Sequence, residues 1–118
     1  MHEYKKLKIW NDSIELVTNV YLVTKTFPDS ERYGLISQIN RCAVSIPSNI
    51  AEGAGRNTNG EFKHFLGIAN GSCYELETQL LVAKNLGYIN IETLDKLLEK
   101  TDIIEKMIYN LIKSLKTN

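Results

Sequence analysis

The sequence predicts an all-α protein, an antiparallel up-down-up-down four-helix bundle. Apolar residues recur every three or four positions in four separate segments, which is the spacing of amphipathic helices. The connections between these segments are short, so neighbouring helices should run antiparallel. No run alternates apolar and polar residues for the length of a strand. With 118 residues the chain suits one domain, residues 1–118, with one core. The expected helices are about 8–26, 31–54, 59–86 and 91–116.

The first helix, 8–26, follows from one apolar stripe. Its members are Leu7, Trp10, Ile14, Val17 and Tyr21, which Leu16, Val20 and Val23 widen. Phe27-Pro28 ends it, because a residue before proline avoids the α region.

The second helix, 31–54, contains a proline. Its apolar positions are Leu35, Ile39, Ala43, Ile46 and Ile50. Pro47 removes one backbone hydrogen bond, so the sequence predicts a kink near Pro47. Asn49 and Glu52 have capping-box spacing, which would let a new helix start there. Two shorter helices are therefore the alternative.

Capping residues separate the last two helices. Thr58 and Glu61 form a predicted capping box at the start of 59–86. Gly87 is typical of a helix C-cap and Asn90 of an N-cap.

The fourth helix, 91–116, repeats its apolar residues with heptad spacing, and its opposite face is charged. Its apolar side comprises Leu94, Leu97, Thr101, Ile104, Ile108, Leu111 and Leu115.

Composition argues against several classes of protein. Fourteen Lys and Arg balance fourteen Asp and Glu, which disfavours a strongly basic nucleic-acid binder. The apolar runs are far shorter than the ~20 residues of a membrane helix. No secretory signal is evident at the N-terminus. Cys42 and Cys73 are too few for a disulfide framework. We therefore expect a cytoplasmic protein with reduced cysteines and no membrane partner.

Polar residues recur at helical spacing on the second and third helices. A simple solvated helix face would carry Lys/Glu pairs instead. The set comprises Arg41, Ser45, Asn49, Glu52 and Arg56 on the second helix, and Gly67, Gly71, Ser72, Glu75 and Glu77 on the third. Gly67 and Gly71 share one face and would let another backbone approach. One interpretation is a binding surface or subunit interface. The other is an intramolecular network in which Arg41 or Arg56 pairs with Glu75 or Glu77.

Catalytic patterns are not found in the sequence. Ser45 and Ser48 have no nearby base in the sequence. Glu61-x-x-His64 occurs once, whereas ferritin-like di-iron bundles need that unit twice with two further glutamates. No glycine-rich phosphate loop is present. We therefore expect no catalytic residue, metal site, cofactor or small-molecule substrate.

Contact with nucleic acid would need basic residues on one surface, ideally with aromatic rings. The candidates are Lys5, Lys6, Lys8, Arg41 and Arg56. The alternative is that these side chains are simply solvated. The five lysines of the fourth helix are matched by five acids there.

Several motifs resemble one bacterial family. They are Leu7-Lys8-Ile9-Trp10, the run from Gln38 to Gly53 with its Ser45-Ile46-Pro47-Ser48-Asn49-Ile50-Ala51-Glu52-Gly53 core, Glu75-Leu76-Glu77-Thr78-Gln79-Leu80, and Leu86-Gly87-Tyr88-Ile89. Together they resemble the four-helix-bundle family named for the 23S rRNA intervening sequence. The similarity extends from about Tyr4 to Leu115.

The resemblance implies a homopentamer, a ring with a central channel. It also implies a relation to the accessory variability proteins of diversity-generating retroelements, which bind nucleic acid and a reverse transcriptase through basic surfaces. No catalytic role is implied. Two functions stay open: a non-enzymatic oligomeric scaffold that binds RNA, DNA or a ribonucleoprotein, and a structural or protein-interaction module without a nucleic-acid partner.

Overall fold

Four helices form the protein. The computed structural model describes residues 1–117. The helices are α1 (Lys8–Thr24), α2 (Leu35–Ala54), α3 (Asn59–Asn85) and α4 (Ile91–Ser114). Single 3-10 turns occupy Tyr4–Lys6 and Asp29–Glu31, and the described residues contain no strand. The predicted all-α four-helix fold is confirmed.

The helices contact one another in ring order, because α1 and α3 each pack against both α2 and α4. Hydrogen bonds at both ends of the bundle join segments that are far apart in sequence. The His2 N–H donates to the Ala54 carbonyl at 2.7 Å, and Asn59 Nδ2 donates to the Lys116 carbonyl at 2.9 Å. At the other end Tyr88 donates its hydroxyl to Glu31 Oε2 at 2.8 Å. An up-down-up-down order requires contacts of this kind.

The start of α2 differs from its predicted position. The helix begins at Leu35 instead of residue 31, because Asp29–Glu31 forms a 3-10 turn and Gly34 has a non-helical backbone (φ −109°, ψ −112°). Glu31 Oε1 accepts a hydrogen bond from the free Leu35 N–H at 3.3 Å. The other predicted ends lie within two residues of those observed, which is ordinary for fraying termini.

Helix α2 continues through Pro47, so the alternative of two shorter helices is wrong. Proline has no N–H for the Ala43 carbonyl, yet the ring is buried and the flanking hydrogen bonds hold the helix together. Asn49 does not start a new helix. Its Nδ2 donates to the Ser45 carbonyl at 2.7 Å. The kink near Pro47 stays a prediction.

The predicted N-caps Thr58 and Asn90 are formed, but the Glu61 carboxylate accepts from the Thr58 hydroxyl and not from a free amide, so only half of the predicted capping box is present. Thr58 Oγ1 accepts from the Glu61 N–H at 3.1 Å and donates to the Glu61 carboxylate at 3.0 Å. Asn90 Oδ1 accepts from the Thr93 N–H at 2.8 Å. Gly87 has φ +82°, the left-handed conformation that favours glycine after a helix.

The core-facing side of α1 is rotated from the predicted stripe. Ile14 and Tyr21 are exposed, whereas Ser13 and Thr24 are buried. The hydroxyl of Ser13 donates to the Trp10 carbonyl at 2.7 Å, which satisfies its polar group inside the core. A search for apolar periodicity passes over such residues. The fully buried large side chains of the four helices include Leu16, Val20, Ile39, Ile46, Ile50, Phe62, Leu66, Leu76, Leu80, Ile104 and Ile108.

Helices α2 and α3 approach each other closely at Gly53. A methyl group at Gly53 would lie 2.7 Å from Phe65 Cβ and 3.0 Å from a Phe62 ring carbon. Only glycine allows this separation. The contact anchors the pair of helices that carries the predicted polar residues. No helix among residues 1–117 combines the length and apolarity that crossing a membrane requires.

Candidate functional site on helices α2 and α3

Three of the predicted polar residues form a network between α2 and α3. The hydroxyl oxygens of Ser45 and Ser72 lie 2.7 Å apart, and Ser45 Oγ donates to the Cys42 carbonyl at 2.6 Å. Asn49 donates to the Ser45 carbonyl. Ser72 is buried, and Ser45 and Asn49 are half-buried. For these side chains the intramolecular interpretation holds.

Arg41 and Glu75 lie on opposite sides of an open groove of about 400 Å³ above this network. Both side chains are exposed. Among the ion pairs of residues 1–117, neither residue has a partner within 4.0 Å. The predicted pairing of Arg41 with Glu75 or Glu77 is therefore wrong, and Arg41 keeps its charge free at the groove.

Glu52 and Arg56 form a local pair at the end of α2. Arg56 Nη2 lies 2.6 Å from Glu52 Oε1, and Arg56 Nη1 lies 3.9 Å from Glu61 Oε2. The guanidinium also stacks 4.8 Å from the centre of the Phe65 ring. The prediction that Arg56 bridges to Glu75 or Glu77 is wrong, because carboxylates one turn away in sequence and at the start of α3 lie closer.

Glu77 lies on a different face of α3, towards α4. Thr101 Oγ1 donates to Glu77 Oε2 at 2.5 Å. Beside it Glu105 Oε2 is buried, and no hydrogen-bond partner for it exists among the described residues. Burial, followed by the interaction with the neighbouring Glu77 carboxyl, raises the pKa of Glu105 to about 8. Glu105 is therefore protonated at neutral pH beside Glu77. The sequence did not indicate this arrangement; Thr101 within the apolar heptad was its only signal.

The two cysteines are free and buried. Cys42 Sγ donates to the Ser72 carbonyl at 3.0 Å. Burial and the nearby Glu75 charge raise the pKa of Cys42 to about 12, and burial also raises that of Cys73 to about 12. Both thiols are therefore protonated at neutral pH and poorly nucleophilic.

Gly67 and Gly71 point away from the rest of the chain. A methyl group at either position would meet nothing within 4 Å. The surface around them, which we call the outer face of α3, is nearly free of charge. Its exposed residues are Gly67, Ile68, Gly71, Tyr74, Glu75, Thr78, Leu81 and Val82. The sequence predicted that another backbone approaches these two glycines. Within residues 1–117 no other helix does so.

The predicted nucleic-acid residues do not lie on one surface. Arg41 is at the α2–α3 groove, and Lys8 pairs with Asp12 at 2.8 Å. Lys5, Lys6 and Arg56 lie at the end of the bundle where α2 ends. Three further lysines lie at this end: Lys63, Lys113 and Lys116. We call these six residues the basic end.

Both histidines pack on phenylalanines. The His2 ring centre lies 5.0 Å from that of Phe62, and the His64 ring centre lies 5.4 Å from that of Phe65. Glu61, three residues before His64, is engaged in the α3 cap. Within residues 1–117 no group of three His, Cys, Asp or Glu side chains is arranged to hold a metal ion.

The chain was compared with known proteins. A similar solved structure comes from Bacteroides thetaiotaomicron VPI-5482 and is described as a protein with unknown function from the S23 ribosomal protein family. It is 23% identical, with a TM-score of 0.83, and the match covers 90% of this chain and 99% of that one. This likeness shows the fold. Proteins with curated descriptions yield no significant match.

The family assignment rests on the sequence itself. Residues 5–110 match the model of the 23S rRNA-intervening sequence protein family, which is most of the chain. The matched region contains all of α1 to α3, the polar network and the outer face of α3. The chain belongs to the 23S rRNA-intervening sequence protein family.

Proposed function

We propose that this protein is a non-enzymatic cytoplasmic scaffold that assembles with copies of itself and binds nucleic acid or a ribonucleoprotein in the assembled form. The observation that carries the proposal is that the outer face of α3 is exposed and nearly free of charge. In a ring of identical chains, this surface would contact a neighbouring copy. The number of copies is five, as the family resemblance implies.

Gly67 and Gly71 lower the stability of helix α3. Glycine within a helix destabilises it by roughly 1 kcal/mol relative to alanine. Within the described chain Gly67 and Gly71 contact no neighbouring element that would compensate. A helix of another copy could approach at this place more closely than a side chain would permit. An interface of this kind gives both glycines a physical reason.

The apolar character of the same face supports self-association. Tyr74, Leu81 and Val82 are each about half exposed, and Glu75 is the one charged residue of the outer face of α3. Contiguous apolar surface of this kind marks interaction sites. A second copy would remove these side chains from water.

The proposal of a non-enzymatic role is supported by the groups at the α2–α3 groove. The two serines hydrogen-bond with each other, and the Cys42 thiol is held protonated. Both histidines pack on rings at the end of the bundle. A nucleophile with an adjacent base is thus not assembled at the groove.

Light scattering at micromolar concentration tests self-association. The wild-type mass should be about five times the 13.4 kDa of one chain. Leu81→Glu should reduce it towards one chain, because a charge would enter the interface. Ile103→Glu on α4 is the matched control, since Ile103 is 48% exposed and Leu81 is 50% exposed. A monomeric wild-type protein would refute the proposal.

The second candidate function is a structural or protein-interaction module with no nucleic-acid partner. The zero net charge favours it, because phosphate neutralisation supplies most non-specific affinity. A salt-titrated binding assay separates the two functions. Binding to phosphates weakens steeply as salt rises, whereas a module without such a partner shows no binding at low salt.

A further inference from the structure

We propose that the basic end is the surface that contacts nucleic acid, with unpaired lysines on the phosphates of a single strand. The proposal rests on the nucleic-acid binding proposed above and gives that binding a location. Its central residues are Lys5, Lys63, Lys113 and Lys116. Three of these four were not among the residues that the sequence indicated.

The fold separates charges that cancel along the chain. Residues 1–7, 52–64 and 107–117 carry six Lys and Arg against three acids. The remaining residues carry eight against eleven. One end of the bundle is thus positive by three charges, and the rest of the molecule is negative by the same amount. A polyanion is therefore attracted more strongly to this end than to the rest of the molecule.

Short contacts bring these three segments together. Asn59 donates to the Lys116 carbonyl, and Lys63 Nζ lies 3.4 Å from Thr117 Oγ1. The N-terminal segment joins them through the His2–Ala54 backbone hydrogen bond and the stacking of His2 on Phe62. Basic residues from different segments are 50 or more positions apart in sequence, so periodicity cannot reveal the cluster.

Four of the five lysines of this end are available to a ligand, whereas Lys6 pairs with Glu3 at 3.0 Å. Among the ion pairs of residues 1–117, none involves Lys5, Lys63, Lys113 or Lys116. By contrast, Lys8 and Lys106 each lie within 3 Å of an aspartate on the same helix. A phosphate could bind the unpaired ammonium groups without breaking an existing pair.

Exposed rings beside the lysines favour a single strand. Tyr109 is 63% exposed, and Lys113 Nζ lies 5.5 Å from the centre of its ring. His64 is exposed next to Lys63. Unpaired bases stack on such rings while the backbone follows the lysines, and base stacking tolerates any sequence. RNA and DNA share this chemistry, so the test compares them.

Fluorescence anisotropy with a labelled single strand of about 20 nucleotides tests the location. The RNA and the DNA of one sequence are titrated at several salt concentrations. The triple variant Lys63→Glu, Lys113→Glu, Lys116→Glu should bind at least about 10-fold more weakly. Its salt slope should fall by about 2, since each lost single-strand phosphate contact removes roughly 0.7.

The matched control reverses three lysines at the opposite end: Lys25→Glu, Lys84→Glu, Lys96→Glu. These lysines are also absent from the ion pairs of the described chain. The control should bind within about 3-fold of the wild type at moderate salt, because the net charge is altered equally but away from the basic end. Circular dichroism and light scattering verify that both triple variants keep their helix content and mass.

The outcomes separate the two proposals. If the wild type binds neither strand at low salt, nucleic-acid binding itself fails. If it binds and both triple variants lose affinity equally, only the location fails. If the wild type sediments with phosphatidylserine vesicles and ignores both strands, the basic end serves a membrane surface and the inference is overturned.

Discussion

Helices α3 and α4 bury similar apolar stripes, but their solvent-exposed faces differ in chemistry. On α4 the exposed positions are mostly charged, and Lys106 pairs with Asp102 at 2.9 Å while Lys100 reaches Glu15 of α1 at 3.2 Å. On the outer face of α3 glycines and apolar residues replace these charges. A face that contacts only water usually resembles that of α4. The difference therefore supports the proposal that the outer face of α3 contacts another copy of the chain.

The largest expected effect on the free energy of unfolding distinguishes the buried side of α3 from its outer face. Leu76→Ala removes a fully buried side chain and should lower the free energy of unfolding by about 3 kcal/mol. Leu81→Ala, on the outer face, should cost less than about 0.5 kcal/mol in the dissociated chain. Urea denaturation at high dilution measures both, since association adds concentration-dependent stability. Equal losses would show that the outer face of α3 packs within one chain.

The second comparison is between Gly53, where a methyl group would overlap a neighbouring helix, and Gly67, where it would meet nothing. Gly53→Ala should destabilise the protein by about 2 kcal/mol, because its methyl would overlap Phe65 Cβ. Gly67→Ala should stabilise the dissociated chain by up to about 1 kcal/mol through helix propensity. Thermal unfolding monitors each variant, and light scattering should show weaker association of Gly67→Ala. A stabilised Gly53→Ala would contradict the close contact.

The boundary between α3 and α4 should be sensitive to pH. The pKa of Glu105 is about 8 in the folded protein and near its ordinary value of 4.5 when unfolded. The folded state therefore binds the proton more tightly. The contribution of Glu105 to stability is fully present below about pH 4.5 and is lost as pH rises to about 8. Discounting for partial exposure, we expect a loss of about 1 kcal/mol, or roughly 4 °C in Tm.

Glu105→Gln should remove most of that fall, because an amide stays neutral. Glu99→Gln on the exposed side of α4 is the control and should keep the wild-type trend. Calorimetric scans between about pH 5 and pH 8 measure the difference. An unchanged slope in Glu105→Gln would assign the pH dependence to another group.

The smallest effect is expected on the exposed side of α4. Lys106→Ala breaks the pair with Asp102, in which both side chains are more than half exposed. Such pairs contribute about 0.3–0.5 kcal/mol and are screened by salt. Chemical denaturation should place the variant within that range of the wild type and closer to it at about 1 M NaCl. A loss above about 1 kcal/mol would mean that this face is not simply solvated.

Residues whose roles depend on near neighbours were predicted well. The Thr58 cap, the Asn90 cap and Gly87 use partners within a few positions. Ser45 and Ser72 were both picked out as polar residues out of place, and they do meet. The pairings of Arg41 and Arg56 with Glu75 or Glu77 were predicted wrongly, because the sequence alone does not show how far apart two side chains on different helices lie. Arg56 instead pairs with Glu52 four residues away on the same helix.

The sequence alone determined the number of helices, their approximate limits and the family, because 3.6-residue periodicity and capping are local properties. It also determined zero net charge. The tertiary structure decided where those charges lie, which glycine meets a neighbour and which carboxyl is buried beside another. These properties depend on distances between residues far apart in the chain, and such distances exist only after the helices pack. Packing thus turned a neutral sequence into a molecule with one basic end.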